Sequence, residues 1–307
     1  QRQQTFSMPL LRPALFAGLI ESVQTDGWSL PADGGDLRVA LPPGVECFVE
    51  ITSGAGAGHR YELDEDNCDG AKVVLDLTAE RNTVIGVPSQ FEGAHFVIRP
   101  HWTFGDVVPA GVFQGGKKSA EADRIIRFDR DAGAFLTFWR FAAPSGPIWL
   151  REGDASLSDL GGETLAPGEG MFVDVRGAAV TRLIAGEVRS TAFAWRTAPG
   201  LHLVGTGYPV AQSPQDRKLL PAFGSIASSE ASNSDAIREW TGDGEPGTRG
   251  YRGYVLLDVS GGFWTPEGDA SLLDVTDRAI FLSGRAMFIR SRQEKSSVRT
   301  EVCPWMP

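Results

Sequence analysis

Glu152-Gly153-Asp154-Ala155-Ser156-Leu157 and Glu267-Gly268-Asp269-Ala270-Ser271-Leu272 spell the same six residues, EGDASL, twice in one chain. Gly and Asp supply turn conformations, and Ser supplies local hydrogen bonds, so the hexapeptide reads as a turn. The likeness extends outward from it. "PIWLREGDASLSDL" (147–160) aligns with "GFWTPEGDASLLDV" (262–275), and "EGMFVDVRG" (169–177) with "RAMFIRSRQ" (285–293). Upstream, "DRIIRFD" (123–129) aligns with "DAIREWT" (235–241). Trp149 then matches Trp264, and Met171 matches Met287. Each copy reads as strand, turn, strand with Trp, polar loop, strand with Met-Phe, final strand. Two copies this far apart are a duplication; a solenoid needs shorter periods and more copies.

Composition agrees with a strand-rich chain. Among 307 residues there are 37 Gly and 19 Pro, a mixture that favours short strands joined by tight turns. The formal net charge of −10 opposes binding to duplex nucleic acid or an anionic membrane, which needs clustered Lys and Arg. No apolar run approaches the roughly 18 residues of a membrane-spanning helix. The chain starts at Gln1, which points to processing or trimming and to a residue able to cyclise.

Ahead of the repeats, "LRVALP" (37–42), "ECFVEIT" (46–52), "HRYELD" (59–64), "AKVVLDL" (71–77) and "HFVIRP" (95–100) are short β-branched and aromatic runs separated by turn residues. That spacing suits a sandwich or small barrel. The expected fold is therefore all-β: a small N-terminal barrel or sandwich followed by a duplicated sandwich-like unit. The expected divisions are an extended arm and first strand (1–23), a meander (24–104), one repeat (105–200) and a second (201–307). Helical signals are sparse, a turn or two at Ser119–Ile126 and Ser228–Trp240.

"MPLLRPALFAGLIESV", "ITSGAGAGHRYEL", "FVIRPHWTFGDVVP" and the paired Trp…Met-Phe units together resemble a paralogue-rich family of exported β proteins of verrucomicrobial bacteria. The resemblance covers most of the chain. Its most specific piece is Arg99-Pro100-His101-Trp102-Thr103 followed by Gly105-Asp106. It implies export and β structure, and no particular activity. Members usually carry a further strand-forming segment ahead of the Pro9-Leu10 region, another sign of processing or truncation here.

Candidate chemistry is thin. Asp64, Asp66 and Asp69 in "DEDNCDG" are closely spaced oxygen ligands of the kind Ca²⁺ takes, although the spacing is not that of an EF-hand; a polar hairpin turn is the plain alternative. "SGAGAGH" (53–59) lacks the following helix and Lys-Ser/Thr of a phosphate loop. His95 and His101 are about 20 Å apart if extended, too far to share a metal. Glu152/Asp154 and Glu267/Asp269 are carboxylate pairs, but they sit in both copies of a turn, where a glycosidase would need one pair. Cys47 and Cys68 flank a hairpin and are candidates for a disulfide, which would leave Cys303 unpaired; three reduced thiols are the plain alternative. Trp28, Trp102 and Trp240, with Trp305, are candidates for a sugar-stacking platform. Trp139, Trp149, Trp195 and Trp264 lie in apolar runs and read as core.

These observations point to a non-enzymatic, secreted or cell-surface structural protein that assembles with itself into a filament or layer. Phe6, Met8, Leu10 and Leu11 of the alternating arm would add a strand to a neighbour's sheet. Repeated β units offer related surfaces for head-to-tail contacts. A second reading is a carbohydrate-binding or adhesion module with polysaccharide as partner, and a third is a hydrolase whose site is assembled from residues that sequence spacing does not reveal.

Overall fold

The computed structural model describes residues 2–32, 35–84, 86–109, 112–130, 132–178, 181–242 and 250–305. Gln1 lies outside them. The chain is all-β. Along it run β1 (Arg2–Ser7), β2 (Phe16–Leu19), β3 (Ser22–Val23), β4 (Gly27–Ser29), β5 (Cys47–Ile51), β6 (Arg60–Glu62), β7 (Lys72–Val74) and β8 (His95–Pro100). Then come β9 (Trp102–Thr103), β10 (Arg124–Asp129), β11 (Ala134–Ala143), β12 (Gly146–Arg151), β13 (Thr164–Leu165) and β14 (Gly170–Val175). The last group is β15 (Phe193–Thr197), β16 (Gly200–Gly205), β17 (Ala236–Trp240), β18 (Tyr251–Leu257), β19 (Phe263–Pro266), β20 (Ala286–Ser291) and β21 (Ser297–Glu301). Among the described residues the sheets are open, without barrel closure.

Two compact units divide the chain. The repeat unit comprises residues 1–9, 102–185 and 198–295; the inserted unit comprises 10–101, 186–197 and 296–307. These bounds differ from those expected of the sequence. The arm splits after Pro9, and both units are assembled from separated segments.

The repeat unit holds two five-stranded antiparallel sheets among its described residues, ordered β1-β14-β10-β11-β12 and β16-β20-β17-β18-β19. The orders are identical once β1 is matched to β16. Register agrees too: Arg2 pairs Val175 and Ser7 pairs Gly170, as Gly200 pairs Ser291 and Gly205 pairs Ala286. The duplication thus includes the N-terminal strand, which the sequence alignment did not reach.

Local chemistry explains why EGDASL recurs. Gly153 and Gly268 have φ of +83° and +80°, left-handed values that favour glycine. Asp154 and Asp269 each accept a 2.9 Å hydrogen bond through Oδ1, from the Ser156 and Ser271 amides respectively. Leu157 and Leu272 are also left-handed, at +54° and +52°. One turn has been written twice. The buried Asp123 and Asp235 repeat in the same way. Oδ1 accepts the amide of Arg176 in one copy and of Arg292 in the other, both at 2.6 Å. Thr103 and Asp106 cap the helical turn Phe104–Val107 reciprocally, and Ser213 and Asp216 make the same three bonds.

The two sheets share apolar contacts through Phe172, Leu203, Ala286 and Phe288. Where they cross, the Ser7 amide donates to the Gly284 carbonyl at 3.0 Å and the Gly205 amide to the Gly168 carbonyl at 2.9 Å. These bonds are equivalent under exchange of the copies, so each first strand ends by bonding to a loop of the other copy. The crossing is tight enough that a Cβ on Gly205 would lie 1.9 Å from Ser7 Oγ.

In the inserted unit, the sheets β2-β8-β5-β6 and β3-β4-β7 face one another across an apolar core containing Trp28, Val49, Ile51, Tyr61, Phe96 and Ile98. "LRVALP" is not a strand there. Asp36 caps it, accepting the Arg38 amide at 3.0 Å, and Leu37–Ala40 turns as a helix. Ser119–Glu121 and Ala231–Asn233 are single 3₁₀ turns leading into β10 and β17.

Candidate functional site

Strand alternation gives the β2-β8-β5-β6 sheet two unlike faces. Cys47, Val49 and Ile51 of β5 point into the apolar core. Phe48 and Glu50 take the other parity, and they pair across the ladder with Glu62 and Arg60 of β6. On the other side Phe48 pairs with Arg99, and Glu50 with Val97. This second face would be an ordinary solvated surface were it not covered. The covering chain comes from residues 186–197 and from β21, which pairs with β15.

The result is a charged layer closed off from water. Glu50 and Arg189 are each 1% exposed and form an ion pair. Thr191 donates its hydroxyl to Glu50 Oε1 at 2.7 Å. Arg60, 8% exposed, donates from Nη2 to the Ala194 carbonyl at 3.1 Å. Its guanidinium lies 4.6 Å from the Phe193 ring centroid, and that of Arg189 lies 4.9 Å from it. Burial, aided by the Arg189 charge, lowers Arg60 to about 9, against the pull of Glu50, Glu62 and Glu301. At the edge, Arg99 donates to the Arg12 carbonyl at 2.6 Å and pairs with Glu187. Leu11 and Glu187 exchange backbone bonds at 2.9 and 2.7 Å.

One end of the layer meets open space. His101, 1% exposed, donates from Nε2 to Glu62 Oε2 at 2.7 Å and lies 4.8 Å from the Phe48 ring. Glu62 also lines a cavity of about 510 Å³ together with Glu46, Glu65, Asp76, Glu80 and Arg81. Cys47 borders it, but burial pushes that thiol up to about 12, so it is not a thiolate at neutral pH. Glu65 is raised by burial while accepting the Cys47 amide.

No family model, curated protein or solved structure matches this chain.

The structure does not bring the expected site residues together. Asp64 Oδ2 accepts the Asn67 side chain at 2.8 Å, Asp69 Oδ1 accepts the Ala71 amide at 2.8 Å, and Asp66 is exposed. Among the described residues no three His, Cys, Asp or Glu side chains are grouped as a metal would require. The aspartates serve their own turns. Cys47 and Cys68 are not joined: both are free thiols, as is the buried Cys303. Cys68 contacts Val74 instead, receiving its amide at 3.3 Å.

Trp28 cannot stack on a sugar. It is fully buried, 5.8 Å from Tyr61 and 5.6 Å from Phe96 by ring centroids. Trp102 pairs with Leu165 in a short ladder, and Trp240 donates its indole N–H to the Gln3 carbonyl at 3.0 Å. Trp149, Trp195 and Trp264 are buried as expected, whereas Trp139 is half-buried. The arm is not detached. Phe6 lies within β1 on its own chain's β14, Met8 and Leu11 are buried, and Leu10 is half-buried.

Sequence reasoning missed the charged layer. Its signal was present in Glu50, Arg60 and Glu62, charged residues alternating with apolar ones on two paired strands. Alternation reports a second face, however, and not what covers it.

Proposed function

We propose that the protein is an exported structural subunit that joins copies of itself at the cell surface, with β1 as the exchangeable strand. One observation carries this reading: β1 reaches its sheet from the far side of a long insertion. Its twin β16 is followed directly by the rest of its own repeat, while residues 10–101 intervene between β1 and β9. An edge strand tethered this way can leave β14 and take the same place on a neighbouring copy, giving strand exchange without a new interface. Head-to-tail exchange that does not close yields a filament. The export setting rests on the sequence resemblance.

The test is to lock β1 in place. Gln4 and Val173 are register partners, so Gln4→Cys/Val173→Cys, oxidised, ties the strand to its own sheet without deleting it. The reading expects concentration-dependent multimers of the unmodified chain by light scattering and negative-stain imaging, and monomers of the locked chain. Multimers that persist in the locked chain, or an unmodified chain that is monomeric at every concentration, would overturn it.

A further inference from the structure

We propose that the first repeat carries a binding site for a small molecule with an apolar body and a carboxylate head. The site is a cavity of about 240 Å³ against the β1-β14-β10 sheet, space for roughly eight waters. Val107, Phe113, Ile125, Met171 and Val173 give it an apolar lining, and Thr5 and Phe6 bring β1 to its wall. Among the described residues, the charged ones that line it are Arg182 and Arg285, and no carboxylate does. Both arginines are exposed, and among the described residues neither is in an ion pair; Arg182 donates to the Asp106 carbonyl at 3.1 Å. On a chain of net charge −10, an apolar recess bordered by two cations and no anion selects an acid.

The second repeat supplies an independent argument, because there the position of Val107 carries buried bulk. The capping pairs Thr103–Asp106 and Ser213–Asp216, with the bridges Trp102–Leu165 and Gln212–Phe281, match Val107 to Arg217. Arg217 is 1% exposed, donates to the Gly205 carbonyl at 2.6 Å, and lies 4.7 Å from the Phe281 ring centroid. Val107, on the wall of the first-copy cavity, is a small apolar residue. What the second copy fills with the Arg217 side chain, the first leaves for a ligand.

The probes are octanoate, octanol and octyltrimethylammonium, which share a chain and differ in the head, titrated into the full chain by calorimetry. Octanoate should bind once per chain, at least tenfold more tightly than octyltrimethylammonium. Arg285→Glu, an exposed change at the mouth, should weaken octanoate at least tenfold and leave the thermal midpoint of the unliganded protein unchanged. Val107→Arg, which gives the first copy the residue of the second, should abolish binding. No octanoate binding at millimolar concentration, equal affinity for the cationic probe, or binding indifferent to Arg285→Glu would overturn the proposal. None of these readouts depends on whether the protein self-assembles.

Discussion

In the second repeat the first strand, Gly200–Gly205, continues into Thr206 and Tyr208, both fully buried in the same unit. In the first repeat the equivalent strand, Arg2–Ser7, continues into Leu10, which the other unit takes. The sheets remain superimposable in order and register. The difference teaches where an insertion is tolerated. A connection that leaves the end of an edge strand can be lengthened by a whole unit, because the ladder bonds lie behind it and loop closure grows only slowly with length. What changes is the interior beside that strand, where one copy buries Arg217 and the other has Val107 on a cavity wall.

The largest test of the comparison is the matched tryptophans. Trp149 and Trp264 are both fully buried, so Trp149→Ala and Trp264→Ala should each destabilise the protein by about 3–5 kcal/mol in urea titrations. The phenylalanine versions sharpen the contrast. Trp264 donates its indole N–H to the Leu219 carbonyl at 2.5 Å, whereas the Trp149 indole nitrogen has no hydrogen-bond acceptor among the described residues. Trp264→Phe should therefore lose about 1 kcal/mol more than Trp149→Phe. The opposite order would break the equivalence.

A smaller effect is expected where the inserted unit uses charge in place of apolar contact. Arg189→Met removes the ion-pair partner of the buried Glu50 and should destabilise by about 3 kcal/mol, while Glu50→Met/Arg189→Met should recover most of it. A single change costing under about 0.5 kcal/mol would mean that the layer is wet. Least of all, Gly153→Ala and Gly268→Ala should each cost about 1–2 kcal/mol through the left-handed backbone alone, since none of the described residues lies within 4 Å of an added Cβ at either site. Unfolding midpoints that differ clearly between these two would show that the turns are not energetically alike.

Much of the repeat was legible because it depends on neighbours in sequence. Gly153, Asp154 and Ser156 form their turn among themselves, and Trp149 and Met171 announce the core by apolar context. Trp28 was misread for the complementary reason. Its flanks, "TDGWSL", are polar, and only the arrival of Tyr61 and Phe96 from distant strands buries it. The expected thiol pair failed on a similar point: adjacency along a hairpin does not fix where two sulfurs aim.

Alternation, turn chemistry and the doubled hexapeptide were enough for the sequence alone to determine an all-β chain with a duplicated sheet, since each is set within a few residues. Only the tertiary structure decided that β1 is the missing strand of the first copy, that Glu50 and Arg60 are buried under chain from beyond residue 186, and that one repeat is hollow beside its first strand. Those outcomes depend on which segments return to which sheet, and register between distant segments leaves no mark on either one read by itself.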